Sequence, residues 1–315
     1  MAESSQFDLM ILGAGPAGMT AGVYAARKQV KTVIISKDVG GQANWSSNVG
    51  NYPGYSSISG ADLIGKFQEQ LLEFDVTMVY GTVQTFEIPD GGFRATLSDG
   101  QSFVSRAAIM ATGKSSRMLG VPGERQFVGK GVTYCATCDG PLFSGQTVAV
   151  VGGGNSGLDA AVQMMKICPK VYLVESTDSL RADEVMIDQV YGNAGVEILL
   201  SAAVKEIRGD QFVKSMVVED RKTGESRELA VEGIIVEVGL QPNTTFGSQV
   251  LPLNAIGEVV INCGGETAVP GLFAAGDVTS VPHKQIIIAA GDGAKAALGA
   301  YSYLVRLPVD PDWGS

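Results

Sequence analysis

The chain has 315 residues, enough for two domains, and 45% of them are hydrophobic against 18% charged, which excludes a disordered chain. Its 23 Lys and Arg against 33 Asp and Glu give a net charge of −10, which argues against nucleic acid and anionic membrane surfaces as partners. Of four cysteines, Cys135, Cys138, Cys168 and Cys263, only the first two are close, so they form no secreted disulfide framework and point to redox or metal chemistry in the cytoplasm.

The first elements repeat later in the chain. Phe7–Leu12 is an apolar run before Gly13-Ala14-Gly15-Pro16-Ala17-Gly18; helix formers follow to Lys28, and Lys31–Ile35 is β-rich. This predicts a strand, a glycine turn, a helix and a second strand. The uncharged stretch Leu9–Ala26 has the length of a membrane helix, but five residues (Gly13, Gly15, Pro16, Gly18 and Gly22) break it and no basic segment precedes it. Ala61–Glu73 has helical periodicity, and Val76–Met110 reads as a β-meander ending at Ala111-Thr112-Gly113.

From Thr147–Val151 the pattern starts again: Gly152-Gly153-Gly154-Asn155-Ser156-Gly157, a helix to about Ile167, the strand Lys170–Val174, a helix near Asp183–Tyr191 and a meander from Val196 to Val238. A repeat of this period means two similar domains. Beyond Gly239 come short strands at Glu258–Ile261 and Leu272–Ala274, Gly276-Asp277, and a long helix over Lys284–Leu304. That segment is too small to fold alone. The expected fold is therefore α/β: two Rossmann-like dinucleotide-binding domains with β-meanders, the second inserted into the first. The first comprises residues 1–115 and 246–315, the second 116–245.

Three motifs carry chemistry. In Gly13-x-Gly15-x-x-Gly18, Gly13 permits a tight turn, Gly15 lets backbone approach a pyrophosphate, and Gly18 lets the helix close on the strand. Its place between strand and helix points to dinucleotide binding. No acid ends the following strand, where Ser36 stands. The second fingerprint has the same context, and Glu175 ends the next strand. An acid there accepts from a ribose 2′-hydroxyl and repels a 2′-phosphate, so a nicotinamide nucleotide at this site is NADH rather than NADPH. The alternative is a fold copy that binds nothing. The third motif is Cys135-Ala136-Thr137-Cys138-Asp139. Cysteines three apart suit a reducible disulfide with a reactive thiolate, whereas zinc lacks a full ligand set. Asp139 is a candidate general acid, or else a turn residue before Gly140-Pro141.

Gly13–Gly18, Gly40-Gly41-Gln42, Ala111-Thr112-Gly113, Cys135–Asp139, Gly152–Gly157 and Gly276-Asp277 together resemble the low-molecular-weight thioredoxin reductases, over about residues 6–306. Locally, Gly131–Cys135, Cys138–Phe143 and Lys284–Ala289 resemble the reductase portion of the alkyl hydroperoxide reductase flavoprotein. The resemblance implies a cytoplasmic homodimer. It implies FAD in the split domain, held by Gly13, Gly15, Pro16, Ala17, Gly18, Gly41, Gln42, Asn51, Ala111, Thr112, Gly113, Gly276, Asp277, Lys284, Gln285 and Ile286. A nicotinamide nucleotide would lie on Gly152, Gly154, Asn155, Ser156, Gly157 and Glu175. By position Cys138 would face the flavin, Cys135 would attack the disulfide of thioredoxin or a thioredoxin-like protein, and Asp139 would be the acid. The departure is the missing basic cluster after Glu175. Some relatives with that loss take electrons from ferredoxin, and in some an aromatic residue of the C-terminal tail covers the flavin, a role open to Trp313. A non-catalytic FAD-binding sensor is a third reading, disfavoured by the intact cysteine pair.

Overall fold

The computed structural model describes residues 5–308 apart from 47, 48 and 90. The chain divides into two compact units. The first comprises residues up to Asn44, Tyr52–Ser115 and the segment from Gln241; the second comprises Trp45–Asn51 and Ser116–Leu240. The short segment before Tyr52 thus groups with the inserted unit.

The first unit starts with β1 (Ser5–Ala14), α1 (Pro16–Arg27) and β2 (Thr32–Val39). α2 (Gly60–Leu71) follows, its N-terminus capped by the Ser59 hydroxyl, which accepts the Asp62 N–H at 3.0 Å. β3 (Thr77–Tyr80), β4 (Val83–Glu87), β5 (Phe93–Leu97) and β6 (Ser102–Met110) complete this part. The strand order is β3-β2-β1-β6-β5-β4. β1 pairs parallel with β2 and β6, whereas β4, β5 and β6 are antiparallel. Both faces of β1 are buried, in alternation. Leu9 and Ile11 pack among Ala17, Met19 and Ala21 of α1, while Met10 and Leu12 pack among Phe86, Phe93 and Leu97 of the antiparallel strands. A strand covered on both sides reads as an unbroken apolar run, which is why Leu9–Ala26 mimics a membrane segment. Among the described residues no helix is long and apolar enough to cross a membrane.

β7 (Lys114–Ser116) leads into the second unit. There β8 (Val132–Thr133), α3 (Ala136–Asp139), β9 (Thr147–Val151), α4 (Asn155–Met164), β10 (Lys170–Val174), α5 (Glu184–Tyr191), β11 (Val196–Leu199), β12 (Ala202–Gly209), β13 (Val213–Asp220), β14 (Ser226–Ala230) and β15 (Gly233–Val236) follow in turn. They form a parallel sheet, β11-β10-β9-β15-β8, and an antiparallel one, β12-β13-β14. β9 repeats the logic of β1: Val148 and Val150 face Leu158, Ala161 and Met164 of α4, and Ala149 and Val151 face Val213 and Met216.

β16 (Leu240–Pro242), paired with β7, leads back to the first unit, where β17 (Leu272–Ala274) joins β6 in parallel and α6 (Ile286–Leu304) is the last described helix.

Two expectations are corrected. The meanders are shorter than read. β3, β11 and β15 lie in the parallel sheets, and the fully buried run Gly233–Val236 is the kind of strand whose apolar continuity hides its orientation. Glu258–Ile261 forms no strand; Val259 makes only isolated bridges with Leu253 and Thr279. The Asn254 side chain accepts the N–H groups of Ile256 and Glu258, bending the backbone away from a ladder, and the Glu258 side chain is drawn inward by two lysines.

Candidate active site

Each fingerprint is a glycine turn between a strand and a helix. Gly13 has φ +109° and Gly152 has φ +125°, a region open to glycine. A Cβ on Gly18 would lie 1.8 Å from the Gly13 carbonyl oxygen, and one on Gly157 would lie 1.9 Å from that of Gly152, so each helix closes on its own turn. The middle glycines differ: Gly15 has no neighbouring atom within 4 Å of a Cβ position, and Gly154 only the Arg181 carbonyl at 3.9 Å. Open space at the N-terminus of a helix is the cradle that a pyrophosphate needs. FAD fits the first unit by this test, and a nicotinamide nucleotide fits the second.

Other expected FAD contacts gather around the first cradle. A Cβ on Gly276 would meet the side chains of Ala17 and Ala289 at 3.1 and 3.2 Å, so the Gly276-Asp277 turn is packed between the starts of α1 and α6. Gln285 is the N-cap of α6 and Ile286 its first residue. The Thr112 hydroxyl donates to the Asn243 carbonyl at 2.8 Å, and the Asn243 amide donates back to the Thr112 carbonyl at 2.8 Å, fixing Ala111-Thr112-Gly113. The Gln42 amide donates to the Lys114 carbonyl, and Gly41 faces open space. Asn51, by contrast, is exposed and groups with the second unit. Trp313 lies outside the described residues.

The sequence reading missed a buried charge cluster in this unit. Lys114 Nζ lies 2.6 Å and Lys284 Nζ 3.3 Å from Glu258 Oε1, and the Asn254 amide donates to Glu258 Oε2 at 2.8 Å. Burial pushes the Asp277 carboxyl above its ordinary value, with Lys284 and Lys114 pulling the other way. Burial and then Lys114 lower the Lys284 ammonium, with Glu258 opposing.

In the second unit Glu175 turns back onto its own glycine loop. Its Oε2 accepts the Gly153 N–H at 2.6 Å, and its Oε1 accepts the N–H and hydroxyl of Thr177 at 2.7 and 2.9 Å. Burial works to raise this carboxyl, but the bonds from Thr177, Gly153 and Ser176 together hold it below its ordinary value. It is an immobilised acceptor beside Gly153. Asn155 is the first residue of α4, and its side chain accepts the Asp183 N–H at 2.8 Å. Ser156 is exposed beside it.

Cys135 and Cys138 form a disulfide, with Cα atoms 5.3 Å apart. Cys135 is the N-cap of α3, and its Sγ accepts the Cys138 N–H at 3.2 Å. Asp139 is buried, and its two oxygens accept the hydroxyls of Thr133 and Ser46. The Thr133 hydroxyl also accepts the Cys135 N–H at 3.2 Å, so one side chain ties the cysteine turn to the acid. Thr133 was also missed in the sequence, although its place two residues before Cys135 is a usable signal. A cavity of about 460 Å³ lies against Thr133 and Asp139, lined further by Phe143, Val213 and the exposed side chains of Leu142 and Phe212.

Paired dinucleotide cradles, one in a unit with a redox disulfide and a buried acid, define a nucleotide-linked disulfide oxidoreductase. The chain belongs to the pyridine nucleotide-disulphide oxidoreductase family, whose profile matches residues 7–294. The family's name joins a pyridine nucleotide to disulphide chemistry, and the Gly152 cradle and Cys135–Cys138 lie in the same unit of this chain. It is similar to the thioredoxin reductase of Streptococcus pyogenes MGAS5005, with 38% identity and a TM-score of 0.90 over 97% of this chain and all of that one. It is likewise similar to the thioredoxin reductase of Giardia duodenalis, with 32% identity and a TM-score of 0.88 over 96% of this chain and all of that one. Among curated proteins it is 40% identical to the NADH dehydrogenase of Bacillus subtilis strain 168 and 41% identical to the F component of the alkyl hydroperoxide reductase of Xanthomonas campestris pv. phaseoli, each over 97% of this chain. The chain spans 60% and 58% of the length of those two relatives.

Proposed function

We propose that the chain is a thioredoxin-disulfide reductase that takes electrons from NADH and passes them through Cys135–Cys138 to thioredoxin or a thioredoxin-like protein. The observation that carries the reading is the disulfide with its buried acid in the unit that also holds the Gly152 cradle. Bound FAD supplies two-electron redox chemistry between nucleotide and disulfide. It would be held by the Gly13–Gly18 turn, Thr112-Gly113, Gly276-Asp277 and Gln285.

The chain's own residues then perform a disulfide exchange. The reduced Cys135 thiolate attacks one sulfur of the partner disulfide; that S–S bond breaks, and a mixed disulfide forms. Cys138 attacks Cys135, re-forming the internal disulfide and releasing the partner as a dithiol. Asp139 delivers a proton to the leaving thiolate, and Thr133 keeps acid and cysteine turn in register. The exposed apolar side chains of Leu142 and Phe212 offer a protein substrate a surface beside that acid.

Glu175 supports NADH over NADPH, because its fixed carboxylate accepts from a ribose diol and repels a 2′-phosphate. The name of the Bacillus subtilis relative points the same way for that protein. Glu175→Ala is expected to raise KM for NADH about tenfold with kcat little changed, as loss of one charged hydrogen bond made equally in ground and transition states requires. Steady-state kinetics check this.

The deciding experiment is anaerobic flavin absorbance on adding NADH, NADPH or reduced ferredoxin, each followed by oxidised thioredoxin. Rapid bleaching by NADH and recovery with thioredoxin is the expected result. Faster bleaching by NADPH overturns the ribose argument, and bleaching by ferredoxin alone makes the second cradle vestigial.

A further inference from the structure

The loop after β10 (Glu175, Ser176, Thr177 and Asp178) holds no cation of its own, but the fold brings one to Ser176 from 45 residues further on. Arg221 opens the turn between β13 and β14, and its guanidinium donates to the Ser176 carbonyl at 2.9 Å. Two backbone bonds hold it there. The Arg221 N–H donates to the Ser201 carbonyl at 2.7 Å, and the Ser201 N–H donates to the Thr177 carbonyl at 2.7 Å. Ser201 is buried with φ +52°, a left-handed conformation that serine seldom adopts, and its backbone thereby bridges the loop and the hairpin. Ser176 in turn joins cation to acid, because its hydroxyl donates to Glu175 Oε1 at 3.1 Å. Of the other charges at this corner, Asp220 accepts the N–H groups of Lys222 and Thr223 at 2.7 and 3.0 Å, and Asp178 accepts the Ser179 hydroxyl at 3.4 Å. Arg181, with an exposed side chain, is tied by its N–H to the Gly153 carbonyl at 2.8 Å. The Arg221 side chain is exposed and forms no ion pair with any described residue.

We propose that Arg221 is a specificity-determining residue of the second cradle, a cation poised for a phosphate on the ribose 2′ position, a role that rests on the nicotinamide nucleotide binding there as proposed above. The ribose of a dinucleotide held by a glycine turn lies at the end of the next strand, where Glu175 stands. Arg221 sits one residue beyond, on the Ser176 carbonyl, so a group on the 2′ position meets the acid and the cation together. A bare 2′-hydroxyl needs only Glu175. A 2′-phosphate is repelled by Glu175 and attracted by Arg221, whose planar fork suits phosphate oxygens. Discrimination against NADPH is then a balance of two side chains rather than the absence of a phosphate site. The consequence is asymmetric. Loss of the Glu175 charge alone turns the site toward NADPH with no arginine added, whereas loss of Arg221 sharpens the preference for NADH.

NAD+ and NADP+ differ only in the 2′-phosphate and cannot reduce the flavin. Titration calorimetry of each into the oxidised holoprotein therefore reads this corner without turnover. Wild type is expected to bind NAD+ more tightly. Arg221→Ala should weaken NADP+ about tenfold and leave NAD+ within about twofold, as loss of one charge-assisted contact to the phosphate requires. Arg221→Lys, which keeps the charge, should recover part of the loss. In Glu175→Gln the amide oxygen still accepts the Gly153 N–H, so the glycine loop is kept while the charge is lost. NADP+ should then bind about tenfold more tightly than to wild type and overtake NAD+, and adding Arg221→Ala should erase that gain. Salt should weaken NADP+ binding to Glu175→Gln, and less so once Arg221 is gone. Arg221→Ala that weakens both nucleotides equally makes the arginine a support of the loop and overturns the proposal. So does a gain in Glu175→Gln that is absent or that survives Arg221→Ala. NAD+ binding with NADP+ unmoved by Arg221→Ala overturns the role of Arg221 alone; a wild type that binds neither nucleotide overturns the proposed donor as well.

Discussion

Cys135→Ser and Cys138→Ser are each expected to lower thioredoxin-disulfide turnover by about 10³-fold or more, because residues that act as one unit fail together when either is lost. A serine hydroxyl neither ionises near neutrality nor forms the internal disulfide, so the exchange cannot complete from either side. The two variants differ in how they fail. Cys138→Ser keeps the attacking Cys135 but has nothing to resolve the mixed disulfide, so oxidised thioredoxin should trap a covalent adduct visible by intact mass and lost on adding dithiothreitol. Cys135→Ser should trap little or none. Both should still bleach with NADH, since neither replacement touches the glycine cradles or the Lys114–Glu258 cluster. Turnover within tenfold of wild type in either variant would remove the disulfide from the reaction. An adduct formed by Cys135→Ser instead would exchange the two cysteines' roles.

Much of the fold was legible because its signals are local. The two glycine turns follow apolar runs, and β1 and β9 bury alternate residues on opposite faces, so the repeat in sequence is a repeat of packing. Orientation was less legible. The short strands β11 and β15 carry no turn chemistry that tells a parallel neighbour from an antiparallel one, and β15 pairs with β8 and β9, both distant in sequence. The candidate site divides the same way. Cys135, Cys138 and Asp139 are contiguous, so spacing alone suggests their chemistry. Thr133 reaches them from the end of β8, and Ser46 from 93 residues before Asp139. No periodicity relates these residues; the parallel sheet brings strand ends together at one edge. Glu258 hid for a related reason: within Gly-Glu-Val-Val-Ile it reads as a surface residue at the start of a strand, and only the fold supplies its two buried lysines.

Glu258→Gln is expected to destabilise the protein by about 3–5 kcal/mol at pH 7, the usual cost of removing one member of a buried ion pair. The carboxylate is shared by Lys114 at 2.6 Å and Lys284 at 3.3 Å, with side chains only 7%, 14% and, for Glu258 itself, 9% exposed. An amide can accept one hydrogen bond from the cluster, but it leaves two buried ammonium groups with only Asp277, whose own carboxyl is pushed up by burial, as a neighbouring acid. Burial alone would raise the Glu258 carboxyl; the bonds from Lys114 and Asn254, with Lys284 nearby, hold it below its ordinary value of 4.5. A folded pKa held low contributes stability that is complete above that ordinary value and is lost as pH falls through the lower folded one. Wild type should therefore lose this contribution below about pH 4.5, and the variant, having none, should lose less over the same range. The alkaline side behaves oppositely. Lys284 is already lowered by burial and by Lys114, and without Glu258 it should fall further. Raising the pH then removes the uncompensated charge, and the gap between the proteins should narrow as Lys284 gives up its proton. Urea unfolding of both holoproteins from pH 4 to 10 measures each of these slopes. A difference below about 1 kcal/mol at pH 7, the range of solvent-exposed pairs, would mean that water reaches the cluster and that it does not act as a buried ion network.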